Sequence, residues 1–160
     1  MQEDDFDGMF RVFSDRNVLD AFNLVSFSRE QMRSWVERNL AHQQKHGYGL
    51  FSVILKSSRE LIGDCGLEHT DYKGRPCVEL GYDFLSLYWN QGYATEAAEA
   101  VRGHAVQQLG ISSRSLCSFI RRGNKASQRV SEKIGMRKIE EFTRGDIGYL
   151  LYAFSGELAE

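Results

Sequence analysis

Proline is almost absent: the 160 residues hold one, Pro76. No Ser/Gly-rich stretch replaces it, so nothing reads as an interdomain linker, and the length suits one domain. Cysteine is scarce too. Cys65, Cys77 and Cys117 form an odd, scattered set, which argues against a disulfide framework and against a zinc site. The pattern fits a reducing, cytoplasmic compartment. No run reaches the roughly 18 apolar residues that a membrane span needs. An excess of one charge is also missing. The formal net charge is −2, which does not suit a general nucleic-acid binder. The opening Met1-Gln2-Glu3-Asp4-Asp5 is acidic, the wrong sign for a secretory leader. There is no internal repeat. His42, His46, His69 and His104 are dispersed without ligand spacing, so no metal and no catalytic histidine are expected. What is present is ordinary for a globular chain: 42% hydrophobic and 26% charged residues. A domain near this size buries roughly two-thirds of its unfolded surface and needs no covalent staple.

The pattern along the chain alternates helix and strand. Asp4–Phe13 reads as a first helix. Ser28 and Gln31 form a capping-box signature, followed by an apolar stripe at Met32, Trp35, Val36 and Leu40 and a stop at Gly47. Gly49–Lys56 and Glu60–His69 read as strands joined by a short turn, and Thr70–Arg75 as a polar loop. Val78–Leu85 is a third strand. A helix from about Gly92 to Leu109 follows, then a strand at Ser115–Ile120, a helix at Lys125–Ile134, and two strands, Lys138–Thr143 and Ile147–Phe154, paired across Arg144-Gly145-Asp146. The order gives a single α/β domain over residues 1–160. It has a mixed, largely antiparallel twisted sheet flanked by helices.

The most informative segment is Tyr88-Trp89-Asn90-Gln91-Gly92-Tyr93-Ala94-Thr95-Glu96-Ala97. A strand runs into a glycine turn and then into a helix start. Ala94, Ala97, Ala98, Val101, Ala105 and Leu109 recur at steps of three and four, and Gly110 follows as a stop. A helix start presents unpaired N–H groups and the positive end of the dipole, and Gly92 lets a ligand come close. The implied chemistry is capture of an anion, most plainly a phosphate or pyrophosphate. A tight turn opening an ordinary core helix explains the same residues. The segment is neither a P-loop, lacking Gly-Lys-Ser/Thr, nor a Rossmann fingerprint, lacking its three spaced glycines.

Four segments taken together settle on a family. Glu79-Leu80-Gly81-Tyr82, then Trp89 to Glu96, then Asn124-x-x-Ser127, then Glu132-Lys133-Ile134-Gly135-Met136 resemble, in order and spacing, the GNAT superfamily of N-acetyltransferases. The closest look is to its RimJ/RimL branch, which acetylates N-terminal amines of ribosomal proteins. The resemblance runs from about Ile62 to Phe154. It implies a GNAT-like fold, acetyl-CoA as cosubstrate and an amine acceptor, a protein N-terminus or a small molecule. Two departures stand out. The family's phosphate motif usually has Gln or Arg where Trp89 stands. Family members also open with a strand, which here is missing or very short, leaving one sheet edge open to a partner and a homodimer open as an option.

The resemblance assigns roles to residues. N–H groups from Gln91, Gly92, Tyr93, Ala94 and Thr95 would cradle the coenzyme pyrophosphate. Those near Phe84 and Leu85 would polarise the thioester carbonyl, although plain core packing accounts for both residues. Asn124 is an N-cap that would also contact the coenzyme. Ser127, one turn on, would hydrogen-bond or protonate the departing sulfur. Glu79 and Asp83 share one strand face, opposite Leu80, Tyr82 and Phe84. Glu79 is the candidate base or ammonium anchor, and Asp83 the lesser one. Freeing an N-terminal amine at pH 7 costs only about 1 kcal/mol, against about 4.6 for a lysine, so the base can be weak. Lys125, Arg129 and Lys133 form a basic helix stripe suited to the coenzyme's 3′-phosphate or an acidic partner. Cys117 lacks a spaced histidine, so a covalent acyl-enzyme is not expected. Residues 14–30 and 66–76 would shape the acceptor pocket. The rival readings are a non-catalytic acyl-CoA-binding or sensing module, and an interaction protein that uses the open sheet edge.

Overall fold

The computed structural model describes residues 1–154, and the last six residues of the expected domain lie outside them. A short 3-10 turn, Glu3–Asp5, leads into α1 (Phe6–Val12), α2 (Arg16–Ala21) and α3 (Arg29–His46). Strands β1 (Leu50–Ile54), β2 (Leu61–Tyr72) and β3 (Arg75–Phe84) follow, then α4 (Tyr93–Gln107), β4 (Leu116–Arg121), α5 (Lys125–Lys133), β5 (Arg137–Arg144) and β6 (Ile147–Ala153). The expected capping box is formed: Ser28 Oγ accepts from the Gln31 N–H while the Gln31 side chain accepts from the Ser28 N–H. Gly47 ends α3 in the left-handed region at φ 75°.

The six strands lie in the order β1-β2-β3-β4-β6-β5. All neighbouring pairs are antiparallel except β3 and β4. That parallel pair is registered over only Val78↔Leu116 and Glu79↔Cys117. Beyond it the strands part, and the C-terminal end of β3 borders an opening in the sheet. Among the described residues no strand precedes α1, as expected, and β1 forms one sheet edge. The Met1 ammonium donates to Leu50 O at 3.1 Å there.

One expectation fails. Thr70–Arg75 is not a loop. β2 runs on to Tyr72, β3 starts at Arg75, and the two are joined by Lys73-Gly74 alone. Both turn residues have positive φ, 54° and 77°, the type I′ arrangement whose twist matches that of the strands. The Asp71 side chain accepts from the Gly74 N–H at 2.9 Å and holds the turn.

Alternation then sorts the side chains of the β2–β3 hairpin. Cys65, Leu67 and Leu80 pack with Ala98, Val101 and Ala105 of α4, and with Ile134 and Met136 after α5, in the main core. The small residues of α4 let it sit close to the sheet. The other face carries α1 and α3, whose own core gathers Met9, Val12, Phe13, Met32 and Val36 with Leu85.

Candidate active site

Two clefts open at the C-terminal end of β3 and meet. The first, about 220 Å³, lies between the Phe84 end of β3, the start of α4 and the outer side of α5. The second, about 300 Å³, lies on the other sheet face, beneath Phe13, Phe22 and Trp35. Tyr82, Asp83, Asn124 and Ser127 line both.

The first cleft has the features of an anion site. Gly92 caps α4 at φ 93°, and a Cβ built there would meet nothing within 4 Å. A side chain would therefore stand in the cleft. Glu96 N–H closes the first intrahelical bond, to Gly92 O at 3.0 Å. The N–H groups of Tyr93, Ala94 and Thr95 precede it and have no partner within the helix. All three residues line the cleft, as do Arg129 and Lys133 of α5. Gln91, expected among them through its backbone N–H, does not line the cleft; its side-chain amide donates to Leu87 O at 2.8 Å. Lys125 also falls outside, bonded to Gln128, so only two residues of the basic stripe face the anion site.

Phe84 and Leu85 divide. Leu85 N–H donates to Ile62 O at 2.9 Å and its side chain joins the core under α1. It has no donor to offer a carbonyl, which corrects the expectation for this residue. The same bond makes Phe84↔Gly63 a non-hydrogen-bonded pair of the ladder, so the Phe84 N–H turns away from β2 toward the opening. Its carbonyl points the same way and accepts from Trp89 Nε1 at 2.7 Å. Trp89, the departure from the usual motif, thus fixes the strand end beside the cleft.

Asn124 caps α5 as expected, its Oδ1 accepting from the Ser127 N–H at 3.0 Å. Tyr82 O–H donates to Ser127 O at 2.9 Å and lies 3.3 Å from Ser131 Oγ. Burial pushes this phenol well above its ordinary range, so it stays neutral and ties α5 to β3. That hydroxyl role was not legible from a residue placed only on the strand face opposite Glu79 and Asp83.

The second cleft is acidic. The hairpin register pairs Asp64 with Asp83 and Glu68 with Glu79, with Gly66 opposite Gly81 between them. All four carboxylates line the cleft. Burial, reinforced by the Glu68 charge, pushes both Glu79 and Asp83 up to about 7. Burial also raises Glu68, against the pull of Arg38, and raises Asp64 well above the carboxylate range. Asp64 and Glu68 were not singled out from sequence. They repeat the i, i+4 spacing of Glu79 and Asp83, but only the two-residue turn brings the rows opposite each other. Of the segments expected to shape the pocket, residues 14–30 contribute Ala21 and Phe22, and residues 66–76 contribute Glu68.

Known proteins resemble this chain in sequence and fold. The acetyltransferase (GNAT) domain matches residues 1–137. The uncharacterized protein YkkB of Bacillus subtilis is 33% identical over 125 residues, covering 78% of this chain and 71% of that protein. The uncharacterized N-acetyltransferase YnaD of the same organism is 29% identical over 134 residues, 84% of this chain and 74% of its own. The crystal structure of a GNAT-family acetyltransferase from Bacillus anthracis superimposes with a TM-score of 0.78 at 26% identity, covering 96% of this chain and 90% of that one. This chain belongs to the GNAT acetyltransferase family.

Proposed function

We propose that this protein transfers an acetyl group from acetyl-CoA to a primary amine, with direct attack of the amine on the thioester. The observation that carries the reading is the meeting of an anion-binding cleft and an acidic cleft at Tyr82, Asp83, Asn124 and Ser127. A coenzyme with a pyrophosphate suits the first and an amine the second. A structure of RimL, a ribosomal L7/L12 α-N-protein acetyltransferase, contains coenzyme A and shares this fold with a TM-score of 0.73 at 20% identity. The four motifs favour the RimJ/RimL branch.

The residues fit the coenzyme. The N–H groups of Gly92, Tyr93, Ala94 and Thr95 would hold the pyrophosphate, Arg129 and Lys133 its outlying phosphate charge, and Asn124 the arm between them. Acetyl-CoA supplies an acyl group already activated as a thioester. The Phe84 N–H polarises the carbonyl. Glu79 stands five residues before Phe84 on β3, about 16 Å along the strand, so it takes, through intervening water, the proton that the amine nitrogen loses. A carboxyl balanced near neutrality both accepts and releases a proton at pH 7. Ser127 hydrogen-bonds the departing sulfur. Starting from the ammonium, the nitrogen loses two protons, one released by way of Glu79 and one ending on the sulfur; a C–N bond forms, the C–S bond breaks, and the amide, free thiol and one proton leave.

Thiol release from acetyl-CoA across a panel of amines tests the reading. Turnover with mass-verified N-acetyl product is expected. Tight coenzyme binding with no turnover for any amine would replace it with the sensing-module reading.

A further inference from the structure

Proton transfer from the amine has a gap in it. The nitrogen loses its proton beside Phe84, and Glu79 stands about 16 Å from there along β3. Asp83 is closer. It directly precedes Phe84 on the strand, and its side chain shares the Glu79 face, toward the acceptor cleft. Of the four carboxylates that line that cleft, Asp83 alone also lines the anion cleft. It therefore stands where a thioester and an amine meet. It is partly exposed there, and among the described residues no ion pair holds it.

Its surroundings suit a working base. Opposite it across the ladder is Asp64, 0% exposed and with neither oxygen hydrogen-bonded. Burial, with the charges of Asp83 and Glu68, keeps Asp64 well above the carboxylate range. Asp64 is thus neutral at pH 7 and adds no charge against Asp83. Glu68 lies further along β2, and Arg121 is the one cation among the described residues that line the cleft. Asp83 and Glu79 both stand at about 7, so a proton passes between them at almost no cost. Gly81 separates them. A Cβ there would meet nothing within 4 Å, and its φ is not positive, so neither packing nor the backbone asks for glycine. A side chain would fill the cleft floor between the two carboxylates. Glycine leaves that floor wide enough for water held between polar groups.

We propose that Asp83 is the catalytic base that touches the substrate nitrogen, and that the cleft floor beside Gly81 carries its proton through water to Glu79. This rests on the acetyl-transfer reading and supplies the first step of its proton path. The ammonium N–H bond breaks, its electron pair stays on nitrogen to attack the carbonyl carbon, and the proton forms an O–H bond on Asp83. Asp83 passes a proton to the water file, the file passes one to Glu79, and Glu79 returns it to solvent. Asp83 is then a carboxylate again, ready for the next amine.

The test uses acetyl-CoA with the fastest acceptor from a panel of peptides, polyamines and amino sugars. Asp83→Asn, which imitates the protonated carboxyl, should lower kcat about a hundredfold at pH 7 and leave coenzyme A affinity within about twofold. Asp83→Ala should be as slow, and added formate should restore it about tenfold, saturably, by standing in for the missing carboxylate. A residue that only shapes the cleft gives no such rescue. Gly81→Leu should lower kcat about tenfold with the KM for acetyl-CoA unchanged. Adding Glu79→Gln to Gly81→Leu should cost little more, because both interrupt one path. Thermal melting checks each variant, and if the Asp83 variants unfold, the Gly81 and Glu79 pair still decides. An Asp83→Asn rate within about threefold of the parent, or no response of Asp83→Ala to formate, overturns Asp83 as the base. Losses at Gly81 and Glu79 that multiply overturn the path. Either result leaves acetyl transfer standing. A parent protein that turns over no amine removes the acetyl-transfer reading, and this proposal with it.

Discussion

Gly92→Glu places the sharpest demand on the anion site. The residue caps α4 at φ 93° and has open space where its side chain would go. Substitution therefore has two separable effects. Any L-residue at this φ strains the backbone by about 1 kcal/mol, which acts on folding. For a chain of this size that lowers Tm by roughly 2–4 °C. The second effect acts on the ligand. A carboxylate about 6 Å from a phosphate charge repels it by about 3 kcal/mol at an effective dielectric near 20, and salt trims this at an exposed site. A net loss of about 2–3 kcal/mol corresponds to a roughly 30- to 140-fold weaker complex. Gly92→Ala isolates the strain. It should melt at nearly the same temperature as Gly92→Glu and bind much more tightly. Calorimetric titration with coenzyme A, at two salt concentrations, reads both. A folded Gly92→Glu protein that binds within about twofold of the parent would remove the pyrophosphate from this turn, and the coenzyme assignment with it.

Four further outcomes are expected. Glu79→Gln should lower kcat/KM most near pH 7–8, where the parent carboxylate, shifted up to about 7 by burial, is ionised and the amine is not yet neutral. The defect should shrink as pH rises further, and an equal defect at every pH makes Glu79 an anchor rather than a base. Ser127→Ala should reduce kcat about three- to tenfold and leave coenzyme A affinity intact, because a thiol with a pKa near 8.5 leaves without much help; stopped-flow measurement of the chemical step is the check. Arg129→Ala with Lys133→Ala should raise the KM for acetyl-CoA several-fold at low salt and less at high salt, since both side chains are exposed and screened; an effect confined to kcat contradicts the phosphate role. Stability should fall as pH rises from about 5 to 8. Folding raises the Glu79 and Asp83 carboxyls to about 7, so between their unfolded values and 7 the folded chain binds more protons, and removing them costs stability. Thermal melts of the parent against Glu79→Gln/Asp83→Asn should show the double variant flatter, and identical slopes would count against the shifts.

Local chemistry was read well wherever a local rule governs it. The Ser28/Gln31 box, the left-handed Gly47, the Asn124 cap and the helix after Gly92 each follow from residues within one turn of each other. Part of what was missed depends on a distant partner. Leu85 looked like a free donor beside Phe84, and only Ile62, across the ladder, shows that its N–H is committed. Gln91 was expected in the cradle through its backbone N–H but does not line the cleft. The helix Arg16–Ala21 was not anticipated, being too short to show periodicity, though Val18 and Leu19 are its buried positions.

The acidic cleft shows how far one turn propagates. With Lys73-Gly74 as the whole connection, every cross-strand pair is fixed by counting outward from it: Tyr72 meets Arg75, Glu68 meets Glu79, Gly66 meets Gly81 and Asp64 meets Asp83. Read as a six-residue loop, the same segment leaves the register free, and the two acidic rows have no reason to face each other. The two glycines then take different meanings. A Cβ at Gly66 would lie 2.3 Å from Gly49 O and 2.5 Å from Leu50 Cα, so the close approach of β1 requires glycine there. A Cβ at Gly81 would meet nothing within 4 Å, and that residue lines the cleft between the carboxylates. Packing accounts for Gly66 and leaves Gly81 unexplained. The space beside Gly81 is part of the acidic cleft, open between Glu79 and Asp83.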